Sequence, residues 1–450
     1  MGSKNSATIN KFTIHSRVDS GKSVDVRQGN PLIEYRESVF DSTVRVSGAI
    51  IDTGNAGPAD DGSNAYVGTL EYLQLRGTEK VEFHITDAVG NSLDFGDKLR
   101  LGAYDFQVKE ARSTSFLFEL ISKDVYANKD TSHSVKRRFD GKISDSVVTI
   151  LVEDLETEEE VFFDETINTN SDFGLAQQPF NVILDLQQIA TPTELPDALT
   201  STGGYYFWQT STGYHFRSPD KIVYDAPQSE SGWRTLRYKK YLYDFKVAAI
   251  DNPPPAGYYD KILRWDLRRV SDTEAQMEFG AIGGVITDTF DPATWELSTE
   301  ESNSLDKQQA KSIFGGEPTD YGEYSQIFTS HIVSELSVGN KYSNQDSIEE
   351  QQEKSKEQNY EVEKILPNVA VNYRQKVDQV VTATVPGDFS LHAGDLLWCD
   401  VPEDSTKNTL RRSPKNSGIY MILELCHHIT PEHTYTALIL ARDTFGLKTS

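Results

Sequence analysis

Ser92-Leu93-Asp94-Phe95-Gly96-Asp97-Lys98-Leu99 and Ser390-Leu391-His392-Ala393-Gly394-Asp395-Leu396-Leu397 both read S-L-x-x-G-D-x-L. Gly-Asp is turn chemistry, and the leucines that follow open a strand with one buried face. Each copy leads into strand text opening with tyrosine, Tyr104 and Tyr420. Each unit closes on a similar apolar strand, Leu120-Ile121-Ser122-Lys123-Asp124 and Ile439-Leu440-Ala441-Arg442-Asp443. Any antiparallel protein can repeat a Gly-Asp turn by chance. Three elements recurring in one order point instead to an internal repeat. The residues that carry it are Ser92, Leu93, Gly96, Asp97 and Leu99 in the first copy, and Ser390, Leu391, Gly394, Asp395 and Leu397 in the second. Two similar antiparallel β-barrels per chain follow as the expectation. A trimer of such chains presents six similar barrels in a ring.

The text around these copies has the same character. Val81, Phe83 and Ile85 alternate with polar residues, as do Leu99 and Leu101, Phe106 and Val108, and Phe116, Phe118 and Leu120. Period two marks half-buried antiparallel strands. After Gly141 the period changes. Ser144 is placed to cap a helix carrying Val147, Ile150, Leu151 and Leu155, and a second helix is expected over 181–190, stopped by Pro192. Tyr206-Phe207-Trp208 and Tyr214-His215-Phe216 flank Ser211-Thr212-Gly213, a hairpin signature. From Ser347 to Asp378 the text is polar and helix-prone, with Lys354 four residues after Glu350. The fold class is therefore mainly β with an α+β insertion. The domains read as an N-terminal arm over 1–30, a first barrel over 31–140 completed by 229–252, an inserted α/β domain over 141–228, a connecting mixed domain with a polar helix over 253–379, and a second barrel over 380–450.

Composition narrows the function. The chain has 450 residues, enough for several cores, and its 44 Lys and Arg against 69 Asp and Glu give a formal charge of -25. Binding DNA by counterion release needs a basic face, which this balance argues against. An acidic wall repels phosphate, so DNA can pass without being held. Solubility is the plainer reason for the acidity. Cys399 and Cys426 are too few and too isolated in sequence for a disulfide framework or a zinc site, and buried free thiols are the default. No N-x-Ser/Thr sequon, no signal-peptide core and no apolar run of membrane-spanning length occurs. Met1-Gly2-Ser3-Lys4-Asn5-Ser6 matches the loose myristoylation pattern by chance.

Catalytic motifs fail on inspection. Gly21-Lys22-Ser23 looks like the tail of a P-loop, but Ser16 stands where the first glycine belongs. Asp52, Asp60, Asp61 and Asn64 have calcium-ligand chemistry without EF-hand spacing, and read as a solvated loop. Cys426, His427, His428 and His433 read as a strand end whose neighbours face opposite sides, with a hydrogen-bonding histidine. Glu158-Glu159-Glu160 and Glu300-Glu301 are adjacent acids on solvated faces, not carboxylates converging across a cleft. The aromatics from Tyr205 to Phe216 suit sugar stacking but more often form core or interface. No enzyme, cofactor or metal is expected.

The ordered set of motifs resembles a family. Val385-Pro386-Gly387-Asp388, Leu391-His392-Ala393-Gly394-Asp395, Ser417-Gly418-Ile419-Tyr420, His427-His428-Ile429 and Thr436 to Asp443 are similar to the tube domain of contractile-tail phage baseplate hub proteins, of late-control-type tail proteins and of type VI secretion spike proteins. Phe116 to Ser122, Phe139 to Asp145 and the hairpin near Trp208 and Phe216 follow the same order, and the likeness is weakest at 1–40 and 256–345. The resemblance implies a homotrimeric, pseudo-sixfold ring joining the tail tube to the central spike. It also implies contacts with neighbouring baseplate wedge proteins and a channel for DNA ejection. Such a subunit sits in the virion tail baseplate, is assembled in the bacterial host cytoplasm and inserts in no membrane. The sequence runs out at Ser450 just past the second repeat, so the spike is expected to be another chain. The alternatives are a tail tube or other baseplate adaptor, and a cell-wall or glycan-binding or degrading tail protein.

Overall fold

The computed structural model describes residues 6–29, 31–59, 65–109, 113–139, 141–170, 176–193, 204–224, 240–243, 261–269, 285–291, 295–302, 330–335, 347, 350, 369, 373, 379–401, 413 and 416–442. The chain is mainly β. Alternation in sequence becomes alternation in burial: along Lys80–Thr86, Val81, Phe83 and Ile85 are fully buried while their neighbours are half exposed. Gln379–Pro386 and Thr434–Arg442 behave alike.

Among the described residues, fourteen strands form one branched sheet. From one edge it runs through Lys261–Ile262, Lys240–Tyr243, Leu396–Asp400 and Gly418–Ile429, then Leu32–Ser38, Arg45–Asp52, Thr114–Ser122, Ser92–Lys109, Lys80–Thr86, Thr8–His15 and Ser23–Asp25. Thr434–Arg442, Gln379–Pro386 and Arg264–Arg269 branch from Gly418–Ile429 in that order. Residues 8–122 and residues 240–442 thus supply seven strands each. The two halves share a seam, where Ile429 to Glu424 run antiparallel to Ile33 to Ser38. One core spans the seam and includes Phe12, Tyr35 and Phe83 from the first half and Leu397, Leu425 and Leu438 from the second.

The insertion packs helix Ile143–Thr149, continued by a wide turn over Ile150–Asp154, and helix Pro179–Ile189 against a three-stranded sheet. That sheet joins Val161–Phe163 to the hairpin Tyr206–Thr210 and Gly213–Arg217. Ile143, Val147, Ile150 and Leu151 form its core with Phe180, Ile183, Phe207, Tyr214 and Phe216. No described helix is long and apolar enough to cross a membrane.

Several expectations change. Residues 8–15, placed in an arm, form a strand paired with Lys80–Thr86, because Phe12 and Ile14 bury fully against it. Ser144 does not cap its helix; Lys142 holds that place, and Ser144 is buried, bonded to Thr166. Tyr104 lies mid-strand rather than at an opening, since Ser92–Lys109 runs unbroken through the first repeat. Segment 229–252, expected to complete the first unit, is described at 240–243, where it pairs with Leu396–Asp400 of the second. The connecting domain's Arg264–Arg269 likewise pairs with Gln379–Pro386. Asp60, Asp61 and Asn64, and the polar helix over 347–378 apart from 347, 350, 369 and 373, lie outside the described residues.

Candidate functional site

The two S-L-x-x-G-D copies share a left-handed glycine but not a turn. Gly96 sits at a bulge within strand Ser92–Lys109, opposite Phe83. Gly394 lies in the turn before Leu396–Asp400, so the Gly-Asp turn expected of both is found only in the second. Gly96 has φ 51° and Gly394 has φ 88°, the left-handed region that a side chain disfavours. Leu93, Phe95 and Leu99 are buried in the first copy, and Leu391, Ala393 and Leu397 in the second. All but Ala393 belong to the one core that crosses the seam. Ser92 is exposed, whereas Ser390 turns its hydroxyl to Asp388 at 2.7 Å. The copies part at the aspartate. Asp97 is exposed and pairs with Lys80 at 2.7 Å, and that hydrogen bond lowers its pKa. Asp395 is half-buried and accepts the His392 backbone N–H at 2.9 Å, and burial lifts its carboxyl to about 6.

Beside the second turn lies a buried charge that the sequence reading missed. Glu37 ends the inward series Ile33, Tyr35, Glu37 and is sealed from solvent. Its carboxylate accepts from Tyr35 Oη at 2.5 Å, Ala393 N at 2.8 Å and Ser211 N at 3.1 Å, and lies 3.2 Å from His392 Nδ1. Burial opposes its charge, but His392 and these donors outweigh it and hold its pKa below the usual value. For His392 too, burial is overcome by Glu37, raising the imidazole to about 9. One carboxylate thus fastens three segments: the seam strand, the second turn and the aromatic hairpin. An acid at an inward strand position was the available signal, since a buried carboxylate demands partners.

The hairpin is buried on both faces. Tyr205, Phe207, Tyr214 and Phe216 face the insertion's core. Tyr206 and Trp208 face Ala393, Leu396, Trp398 and Met421 of the second half. Trp208 stacks on His215 at 4.9 Å and donates Nε1–H to Ala393 O at 2.9 Å. These aromatics are therefore core and interface, with no face left for a sugar.

The loops before the two repeat copies also touch. Asp87 Oδ1 accepts Val89 N, Gly90 N and Asn91 N, and its Oδ2 accepts Phe389 N at 3.0 Å. The histidines divide as strand neighbours should: His427 is fully buried with Nδ1 2.8 Å from Thr436 Oγ1, and His428 is half-buried on the other face. Both cysteines are free thiols, Cys399 buried and Cys426 half-buried. In the loop read as solvated despite its calcium-ligand residue types, Asp52 accepts Gly54 N and Thr69 N on its carboxylate. Glu37 is sealed from solvent, and its carboxylate is taken up by Tyr35, Ala393, Ser211 and His392. Its chemistry is positioning.

No family model matches the chain, and no curated protein matches it in sequence. Solved structures do. A tail protein from Neisseria meningitidis MC58 covers 97% of this chain and 97% of its own length at 9% identity, with a TM-score of 0.46. The 43 kDa tail protein of prophage MuSo2 from Shewanella oneidensis covers 96% of this chain and 98% of its own at 7% identity, with a TM-score of 0.46. The E. coli c3393 protein is described as a component of the type VI secretion system with structural similarity to T4 bacteriophage tail proteins gp27 and gp5. It covers 99% of this chain and 79% of its own at 8% identity, with a TM-score of 0.41. Likenesses of this size carry no residue's role across.

Proposed function

We propose that the chain is a structural subunit of a contractile tail, acting as the baseplate hub. Three copies form a pseudo-sixfold ring that joins the tail tube above to the central spike below. Neighbouring wedge proteins surround it, and DNA passes through its lumen without sequence-specific contact. Its place is the virion baseplate, after assembly in the bacterial host cytoplasm. It performs no catalysis. The observation that supports the reading is the presence of one S-L-x-x-G-D copy with a left-handed glycine in each seven-stranded half of one sheet. Each half supplies one lobe, so threefold assembly meets a sixfold tube. The ordered sequence motifs that resemble tube domains supply the tail context.

Light scattering and negative-stain electron microscopy of the purified chain test it, alone and with the candidate spike chain. A hollow trimer with six lobes, formed alone or on the spike, is expected. A hexameric ring turns the reading to a tail-tube component, and failure to trimerise even with the spike overturns it. The charge of -25 predicts an acidic or neutral lumen; a basic lumen in the assembled ring contradicts the channel.

A further inference from the structure

The outward face of the seam holds chemistry that the tail reading does not use. Gly418–Ile429 points Leu425, His427 and Ile429 inward, and Glu424, Cys426 and His428 outward. Across the seam Glu34 is the register partner of His428, and Arg36 of Cys426. Glu34, Cys426 and His428 are all half-buried, and their donor atoms lie within 4.8 Å of one another. Among the described residues no other His, Cys, Asp and Glu group converges this way.

We propose that Glu34, Cys426 and His428 bind one divalent d-block cation of zinc's kind, stapling the two halves of the sheet together. The inference does not depend on the tail reading. Thiolate, imidazole and carboxylate are the donor types that zinc takes, and calcium or magnesium would not choose a sulfur. Donors around tetrahedral zinc stand about 3.3–3.8 Å apart, so side-chain shifts of roughly 1 Å close the set. Cys-x-His along one strand supplies two ligands on one face, and the cross-strand glutamate supplies the third.

The surroundings orient these groups. Arg36 Nη2 holds Glu34 Oε2 at 2.5 Å, leaving Oε1 turned to His428 Nδ1 at 3.2 Å. Tyr435 stacks on the His428 ring at 4.6 Å. Outer groups that fix ligand direction in this way commonly tune metal sites. A groove of about 590 Å³, lined in part by Glu34, His428 and Tyr435, gives the ion an approach. Binding replaces the Cys426 S–H bond with a sulfur–metal bond and passes the proton to solvent. Three protein ligands leave a fourth position for water or a partner's donor.

The full chain, stripped with a chelator, is titrated with zinc alone and with cobalt as a spectroscopic probe. One zinc per chain, with Kd near or below ~1 μM, is expected, with a thiolate-to-cobalt charge-transfer band that disappears in Cys426→Ser. Glu34→Gln and His428→Ala should each weaken binding at least ~10-fold. Zinc should raise the thermal midpoint of the parent and not of Cys426→Ser, while magnesium should move neither. Circular dichroism confirms that each variant is folded, and Cys399→Ser should bind as the parent does. Absence of stoichiometric binding overturns the proposal. So does a cobalt band that survives Cys426→Ser, or one that is lost only in Cys399→Ser.

Discussion

The Phe389 backbone N–H reaches the Asp87 carboxylate at 3.0 Å, so the loop before the first repeat copy holds the loop before the second. The same carboxylate closes its own loop through three further backbone N–H groups. Asp87→Ala strands these donors and should cost roughly 2–4 kcal/mol. Chemical denaturation measures the loss. Hydrogen exchange should show it at 87–91 and at Phe389 together; protection lost in only one loop would contradict the link.

The two left-handed glycines of the repeat copies should respond unequally to alanine. A Cβ at Gly96 meets open space, so Gly96→Ala carries only the left-handed strain, about 1–2 kcal/mol. A Cβ at Gly394 would stand 2.5 Å from Trp208 Cζ2, so Gly394→Ala adds a steric cost of roughly 1–3 kcal/mol. Paired denaturation curves rank them, and equal losses would refute the docking of Trp208 on the second turn.

Removal of that indole tests the hairpin's place. Trp208→Ala vacates a site between the insertion and the second half, and should cost about 3–5 kcal/mol. Limited proteolysis should then cut near 210–213 faster than in the parent. An unchanged cutting rate would mean that the hairpin stands without this contact.

Acid–base behaviour follows from Glu37 and His392. The raised His392 pKa stabilises fully below about 6.5 and is lost as pH rises through about 9. Asp395, raised from 3.8 to about 6, costs stability when ionised; that cost is full above about 6 and fades as pH falls from 6 to 3.8. Glu37, lowered, contributes above its ordinary value near 4.5 and loses its contribution in acid. Stability should therefore rise from pH 9 to pH 6, by an amount on the order of 1–3 kcal/mol. His392→Gln should flatten that slope; an unchanged slope would place its source elsewhere.

What the sequence disclosed follows from range. Val81, Phe83 and Ile85 announced their face because burial period is local. The hairpin over 206–217 was legible for the same reason, with both strands and the turn in one short stretch. The left-handed glycines at 96 and 394 were legible from the Gly-Asp text. That the first sits at a bulge within a long strand, and the second in a turn, was not. Strand Thr8–His15 was not, because only Phe12 and Ile14 betray it and its partner lies at 80–86. Glu37 read as one acid among 69, since its partners Ser211 and His392 are distant in sequence. Cys426 and His428 were noticed as neighbours of His427, but only the seam register brings Glu34 beside them.

The strand Gly418–Ile429 also sets a timetable. It closes onto Leu32–Ser38, which leaves the ribosome long before it. During synthesis the first half has its other strands available while the backbone edge of Leu32–Ser38 waits unpaired. Such an edge invites pairing with another nascent copy. Inward-facing Glu37 discourages that substitute: a foreign strand could satisfy the backbone but would leave the carboxylate without Ala393, Ser211 and His392. The residue that locks the finished seam thus also guards it while it is open.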